Sequence, residues 1–416
     1  MSQSGSSARL LLLVSTHTYR SEAFLTAAEK LGVEVVLGVD VPPAHVGTAT
    51  GRLGLDFRDP ARCVRRVRDY IHEHPLHAIL ATDDVTVILA AHLNAALGLR
   101  HNSVESAEAA HDKRQMRQAF ANAGLPSPWF KTFSIDESPT RVAAQATYPC
   151  VLKPTCLSGS RGVMRANDPA EFVARWARLT MLLTKLGLTE LLVEGYLPGA
   201  EFALEGLLDR GRLQVLALFD KPDPLEDPFF EETLYVTPSR FPTEIQTQIA
   251  ACAETAARAV GLREGPVHAE MRVNAEGVWM LEIAGRSIGG LCSQTLRFAQ
   301  SAEVSLEELI IRQALGLELE PVWCREARAG GVMMIPIPGA GTLMGFSGLE
   351  EARAMPGIES IEITAPLNYP LAPLPEGESY LGFIFARGDT PDEVERALRA
   401  AHARLKFEIT PEILMM

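Results

Sequence analysis

The stretch YPCVLKPTCLSGSRGV, residues 148–163, decides how the rest of the chain is read. Its first half is an apolar strand ending in Lys153 and Pro154, and its second half holds the loop Ser158, Gly159, Ser160, Arg161 and Gly162. A lysine at a strand end supplies a cation, and positions without Cβ let backbone N–H groups approach an anion, so together they can hold a phosphate. Gly and Ser loops are also ordinary turns. The spacing is not that of a Walker A loop, because no glycine is followed by Lys and then Ser or Thr at the required distance.

Downstream, a hairpin is expected over 267–283, with Ala275, Glu276 and Gly277 as a three-residue turn. That register sets Asn274 against Val278, Arg272 against Met280 and Glu270 against Glu282. Two opposed carboxylates repel unless something positive lies between them. A hard divalent cation bridging carboxylates to phosphates meets that need; the alternative is an exposed face neutralised by Arg272 and His268. Glu282 runs on through Ala284 and Gly285 to Arg286, placing a permanent cation just beyond the acidic pair. Gly339, Gly341 and Gly345 do not fit a dinucleotide fingerprint and read as a turn.

Upstream, short apolar runs alternate with helical patterns: 10–14, a helix over 21–31 stopped by Gly32, 33–39, 78–81, and a helix to Leu97 ended by Gly98. Such alternation implies a parallel sheet. The loop Thr82, Asp83, Asp84 follows a strand, where open sheets place ligands, and it suits an N-cap equally well. A helix over about 106–123 closes at Gly124, with Pro126 and Pro128 beyond. Asp168, Pro169 and Glu171 open another helix as N-cap, N1 and N3. Strands at 191–194, 201–208 and 213–219, a Pro and Asp loop over 221–230 and helices over 243–260 and 305–315 follow. From about Pro321, strand-like runs at 331–336, 358–364 and 380–386 precede a helix opened by Thr390, Pro391 and Glu393.

With 47% apolar and 22% charged residues over 416 positions, the chain can bury several cores and is not a disordered polymer. Its 39 Lys and Arg against 52 Asp and Glu give a net charge of -13, which argues against nucleic-acid or anionic-membrane partners. No apolar run approaches the roughly 18–20 residues of a spanning helix. The scattered cysteines, without CxxC pairs, read as reduced thiols of a cytoplasmic protein.

In this order, the pieces resemble the ATP-grasp superfamily over most of the chain. The resemblance implies an α/β protein of ATP-grasp fold. Its parts would be an N-terminal parallel α/β domain over 1–105, a two-lobed α+β ATP-grasp domain over 106–320 with a mobile lid at about 130–195, and a small α+β C-terminal lobe over 321–416. It implies that Lys113, on the helix bearing His111, Asp112 and Arg114, and Lys153 are the phosphate lysines, beneath the loop Ser158, Gly159, Ser160 and Gly162. The stretch LLVEGYLPGAEFALEG is similar to the hinge that reads adenine through backbone groups, here at Glu194, Gly195, Tyr196 and Leu197, with Glu201 at the ribose. Glu270 and Glu282 fall on the metal carboxylates. Arg286 falls on the arginine that contacts the transferred phosphate and the acyl intermediate, so Arg286 and Lys153 are the catalytic pair. The plain alternatives are a surface lysine at 113, a solvated strand end at 194 and a cross-strand ion pair at 201. Ala284 stands where many members carry Asn, a departure that bears on a second Mg2+.

Within the superfamily, the hinge, FFEETLYVTPS (229–239) and EIAGR (282–286) look most like the L-amino-acid ligases that make dipeptides. In that branch Glu231, Glu232, His268 and Arg286 would lie beside the amino-acid substrate. The implied function is ATP-dependent joining of a small carboxylate to an amine through an acyl phosphate, with ATP and Mg2+ (or Mn2+), by a homodimer. The alternatives are a carboxylase like biotin carboxylase, a phosphoribosylglycinamide-type purine-pathway ligase, and a nucleotide sensor without turnover. A sensor has no need of Glu270, Glu282 and Arg286 together. A nicotinamide dehydrogenase is disfavoured because 14–18 carries no glycine fingerprint.

Overall fold

The computed structural model describes residues 8–411 apart from 16–17, 19, 43–45, 47–50, 225–227, 299–303, 318–322 and 378. Part of the expected 221–230 loop and the expected boundary at 320/321 lie outside the described residues.

The chain begins with β1 (Arg9–Val14), α1 (Ser21–Lys30), β2 (Glu34–Asp40), β3 (Arg52–Leu55), α2 (Pro60–Ile71), β4 (Ala78–Ala81) and α3 (Asp84–Leu97). Its four strands form a parallel sheet in the order β3-β2-β1-β4. Leu10 to Leu13 are buried on both faces, which is why β1 reads as an unbroken apolar run. The arginine-rich α2 buries only Cys63 and Val67, so its apolar stripe is too thin to announce a helix in the sequence.

The helix expected over 106–123 is two, α4 (Val104–His111) and α5 (Lys113–Asn122). Asp112 between them is extended, and its carboxylate accepts from the N–H groups of Arg114 and Gln115, each at 2.9 Å. It caps α5 at the expense of continuing α4. Lys113 thereby becomes the first residue of a helix.

A lid follows, made of β5 (Phe130–Ser134), α6 (Pro139–Ala143), β6 (Cys150–Pro154), β7 (Met164–Ala166), α7 (Pro169–Lys185) and β8 (Glu190–Gly195). Its antiparallel sheet has the order β5-β8-β6-β7, covered by Phe172, Trp176, Leu179 and Leu183 of α7. Asp168 caps α7 as its sequence indicates.

The remaining elements are β9 (Ala200–Asp209), β10 (Arg212–Lys221), β11 (Leu234–Thr237), α8 (Thr243–Val260), β12 (Gly265–Asn274), β13 (Gly277–Ala284) and α9 (Leu306–Ala314). After them come β14 (Ala329–Ile335), β15 (Gly341–Ser347), α10 (Leu349–Arg353), β16 (Ile358–Ile363), β17 (Pro370–Leu371), β18 (Gly382–Gly388), α11 (Pro391–His402) and β19 (Lys406–Pro411). One eight-stranded sheet, β13-β12-β9-β10-β11-β14-β18-β16, takes in strands from both sides of residue 321. The C-terminal segment thus lengthens the central sheet and keeps only β17-β15-β19 as a sheet of its own. Gly341, expected in a turn, starts β15; a Cβ there would lie 2.4 Å from the Thr410 carbonyl oxygen of β19.

The β12–β13 hairpin differs from its expected register. Its turn has two residues, so Asn274 faces Gly277, Arg272 faces Trp279 and Met271 faces Met280. A bulge at Leu281 then shifts the ladder by one, and Glu270 faces Glu282 after all.

The lid is fastened to the C-terminal segment. Arg178 of α7 grips the Glu376 carboxylate at 2.5 and 2.7 Å, Arg161 donates to the Glu376 carbonyl at 3.0 Å, and the Gly162 N–H donates to Pro375 at 2.9 Å. Glu376→Ala should weaken this clamp by about 0.2–1 kcal/mol, the scale of a partly exposed pair. Hydrogen exchange should speed a few-fold in 157–163 while the unfolding midpoint stays in place.

Candidate active site

A cavity of about 1110 Å3 lies between the lid, the central sheet, the loop after β4 and the C-terminal segment. Every site residue expected from the sequence lines it except Gly162 and Glu231. Gly162 serves the shape of the loop: its φ is +75°, and a Cβ would sit 2.7 Å from Pro154 Cγ. Glu231 stands near the backbone of Ile337, whereas its neighbour Glu232 enters the cavity. Adjacent side chains of an extended segment leave on opposite sides, so only one of the two can face the site.

At the lid end, β6 carries Lys153, β8 carries Glu194 and α5 carries Arg117, and all three are buried. Lys153 Nζ is 2.5 Å from Glu194 Oε1; Arg117 donates to both Glu194 oxygens, at 2.7 and 3.2 Å. Burial alone would push the Glu194 carboxyl up, but Arg117 and Lys153 overcome it and hold it at about 2. The same burial draws the Lys153 ammonium down to about 8 in spite of Glu194. Glu194 is therefore an interior counter-ion and not a solvated strand end. Arg117 also donates to the Met280 carbonyl at 3.2 Å, joining α5 to β13.

Next along the chain is the segment expected to read adenine. The Tyr196 N–H donates to the Pro149 carbonyl at 3.1 Å, and the Leu197 carbonyl accepts from Arg272 at 2.6 Å. Val151, Val163 and Leu281 join this segment as apolar lining. Glu201 is the cross-strand register partner of Arg272, and its Oε2 accepts from Arg272 Nε at 2.7 Å, so the ion-pair reading of Glu201 is realised at the cavity wall.

The floor is a lysine among carboxylates. Lys221, at the end of β10, lies 2.9 Å from Glu201, 2.7 Å from Glu232 and 2.9 Å from Glu270. Oxygens of those three carboxylates all lie within 4.8 Å of one another. The Lys221 charge and, beside it, His268 hold Glu270 well below the usual carboxylate range against the pull of burial. Glu232 is pushed up to about 7 by burial, with Glu270 adding repulsion that Lys221 only partly offsets. Glu282 is paired instead with Lys113, at 3.2 Å, and Lys113 also donates to the Leu157 carbonyl at 2.7 Å. Lys113 is buried at the helix start and is no surface lysine. The converging oxygens of Glu201, Glu232 and Glu270, with Glu282 facing Glu270 across the hairpin, are donors of the kind a hard cation such as Mg2+ or Mn2+ takes. Ala284 adds no oxygen to that set.

His268 bridges two acids, with Nδ1 2.5 Å from Glu205 and Nε2 3.3 Å from Glu270. Burial favours its neutral form, yet the two carboxylates raise it to about 9. Arg286 is anchored across the fold at 2.7 Å by Asp84, the first residue of α3. Of the two readings of 82–84, the N-cap is realised at Asp83, and Asp83 and Asp84 also line the cavity.

The residues overlooked in the sequence are Lys221, Arg117, Glu205, Arg272 as a partner of Glu201, and Arg20, which donates to Ser287 Oγ. Lys221 carried the same signal as Lys153, an apolar strand ending in lysine. The others have no local pattern to mark them: Arg117 lies in a polar helix beside Lys113 and Arg114, and Arg20 in a polar stretch before α1.

Comparison with known proteins places these elements. Sequence profiles match for the ATP-grasp N-terminal domain over 25–101, the ATP-grasp domain over 146–295 and L-amino acid ligase C-terminal domain 2 over 333–410. An uncharacterized protein of Sinorhizobium fredii is 24% identical over 311 residues, 74% of this chain and 63% of that protein. The alanine–anticapsin ligase of Bacillus subtilis (strain 168) is 28% identical over 196 residues, 42% of this chain and 41% of that protein. The crystal structure of L-amino acid ligase from Bacillus licheniformis superposes with a TM-score of 0.79 at 22% identity, covering 98% of this chain and 100% of that one. The chain thus spans less than two thirds of either curated relative.

Because Glu194 is the shared partner of two buried cations, Glu194→Gln should cost about 3–5 kcal/mol of stability, read from urea unfolding. The wild-type contribution follows a depressed carboxyl. It should be complete above the ordinary value of 4.5 and disappear as the pH falls towards about 2, and the variant should lack that acid limb.

Proposed function

Because the chain is an ATP-grasp protein, we propose that it joins a small carboxylate to an amine, both of them amino acids, with ATP as the energy source. The observation that carries this reading is the convergence of Lys113, Lys153, Glu270, Glu282 and Arg286 on one cavity, with Lys221 bonded to Glu270 from behind the wall. Storage or sensing of a nucleotide has no need of a protein cation beside the far end of the acidic pair.

A carboxylate is a poor electrophile, so it must first be activated. In the proposed sequence a substrate carboxylate oxygen attacks the γ-phosphorus of ATP; the new O–P bond forms as the bond to the β-phosphate bridging oxygen breaks, and ADP leaves. Lys113 and Lys153 hold the phosphates and offset the charge that moves between them. Glu270 and Glu282 would hold Mg2+, which supplies further charge neutralisation when bound. The amine nitrogen then attacks the acyl carbon, phosphate departs with the bonding pair, and the nitrogen gives up its proton to it. Arg286, fixed by Asp84, faces the oxyanion of that step, with protonated His268 as a second cation nearby. Acyl phosphates hydrolyse, and the 158–162 loop, fastened at Pro375 and Glu376, keeps water away.

The test is phosphate release with Mg2+ and ATP over a panel of single and paired amino acids, with mass spectrometry of the products. Release that depends on particular pairs and yields a new amide mass is expected. Glu282→Ala and Lys153→Ala should each lower turnover at least about 100-fold in folded protein. Normal amide formation by folded Glu282→Ala sinks the assignment. Because Lys153 loses its proton near 8, nucleotide affinity should fall as the pH rises from roughly 7 to 9, and Lys153→Arg should flatten that dependence.

A further inference from the structure

Away from the phosphate lysines, the cavity wall changes character. Tyr235 of β11, Ile288, Cys292, Met334 of β14 and Phe383 of β18 line it, and none is more than 3% exposed. They are the rim of the core packed on the central sheet. Gly290, with φ +59°, presses the segment after Arg286 down onto that rim: a Cβ there would lie 3.2 Å from Cys292 Sγ, 3.2 Å from Met334 Sδ and 3.4 Å from Phe383 Cε1. Facing the wall is Arg20, from the segment before α1, 6% exposed and hydrogen-bonded to Ser287 Oγ. Its guanidinium lies within electrostatic range of the Cys292 thiol. A buried cation and a wall of sulfur and aromatic carbon therefore share one end of the cavity.

We propose that this end seats the amine substrate, an α-amino acid with a large apolar side chain, its carboxylate on Arg20 and its side chain on Cys292, Met334 and Phe383. The inference rests on the ligase reading, since it is what distinguishes an acceptor from a donor. A donor's carboxylate must reach the phosphates at Lys113 and Lys153 and is consumed there. A carboxylate held by Arg20 beside Ser287 survives into the product. The wall makes the choice of side chain. Glu232, Glu205 and Lys221 also act on the Cys292 thiol, but Glu232 is bonded to Lys221 and Glu205 to His268, so a charged side chain against the wall would give up its hydration for groups already paired. The thioether and ring offer polarisable contact to long or aromatic chains.

The experiment is calorimetry on the wild-type chain with Mg2+ and a non-hydrolysable ATP analogue, titrating L-methionine, L-leucine and L-phenylalanine against glycine, L-aspartate, L-lysine and L-methioninamide. The apolar acids should bind at least about ten-fold more tightly than glycine, aspartate or lysine, and methionine about ten-fold or more above its amide. Arg20→Met should erase the preference for acid over amide and leave the KM for ATP unchanged. Met334→Ala should shrink the preference for methionine over glycine several-fold. Equal binding of aspartate, or of the amide, overturns the inference and leaves the ligase reading intact if amides still form. ATP hydrolysis without amide from any pair, alongside tight methionine binding, removes the ligase reading and the word acceptor but leaves the pocket as assigned.

Discussion

One buried carboxylate organises the lid end of the cavity. Glu194 stands between Arg117 and Lys153, and through them it ties β8 to β6 within the lid and the lid to α5. An ion taken out of water is tolerated only with close partners of opposite charge, so the three side chains fix one another's positions. What depends on them is considerable. Lys113 starts the helix that carries Arg117, and Arg117 reaches on to β13, the strand that carries Glu282.

The same rule of compensation runs through the rest of the cavity. Lys221 is surrounded by three carboxylates, His268 by two, Glu282 has Lys113 and Arg286 has Asp84. Phosphates and a divalent cation are ligands of the kind that can exchange with such internal partners. In the proposed reaction an incoming phosphate would draw Lys113 and Lys153 from Glu282 and Glu194, and a cation would take over from Lys221 at Glu270. Binding then replaces one set of charge pairs with another and leaves no ion stranded, which keeps the free energy of the exchange small. Glu232, raised to about 7 beside Glu270, marks the point where the resident charges balance least well.

Three parts of the chain close this site, and each contact crosses between them. Asp84, the first residue of α3, fixes Arg286, while Pro375 and Glu376 hold the loop and helix of the lid. Met334 and Phe383 reach the cavity because β14 and β18 continue the central sheet. The Arg178–Glu376 pair that fastens the lid to the C-terminal segment is partly exposed and therefore weak, whereas the pairs of the floor and of Glu194 are buried.

Local chemistry was legible in the sequence wherever it is short-ranged. The Asp168 cap, the helix closed by Gly261, the strand that ends in Lys153 and the parallel N-terminal sheet follow from propensity, period and capping, which act over a few residues. The facing of Glu270 and Glu282 was also legible, although the expected turn was one residue too long and a bulge at Leu281 made up the difference. Tertiary structure alone decided which charges meet. Glu194 finds Arg117 77 positions away, Asp84 finds Arg286, and Arg20 finds Ser287 267 positions away. None of these pairings is marked by spacing within its own stretch. A buried charge is recognised by the partner that folding brings to it, and one-dimensional patterning holds no record of that partner.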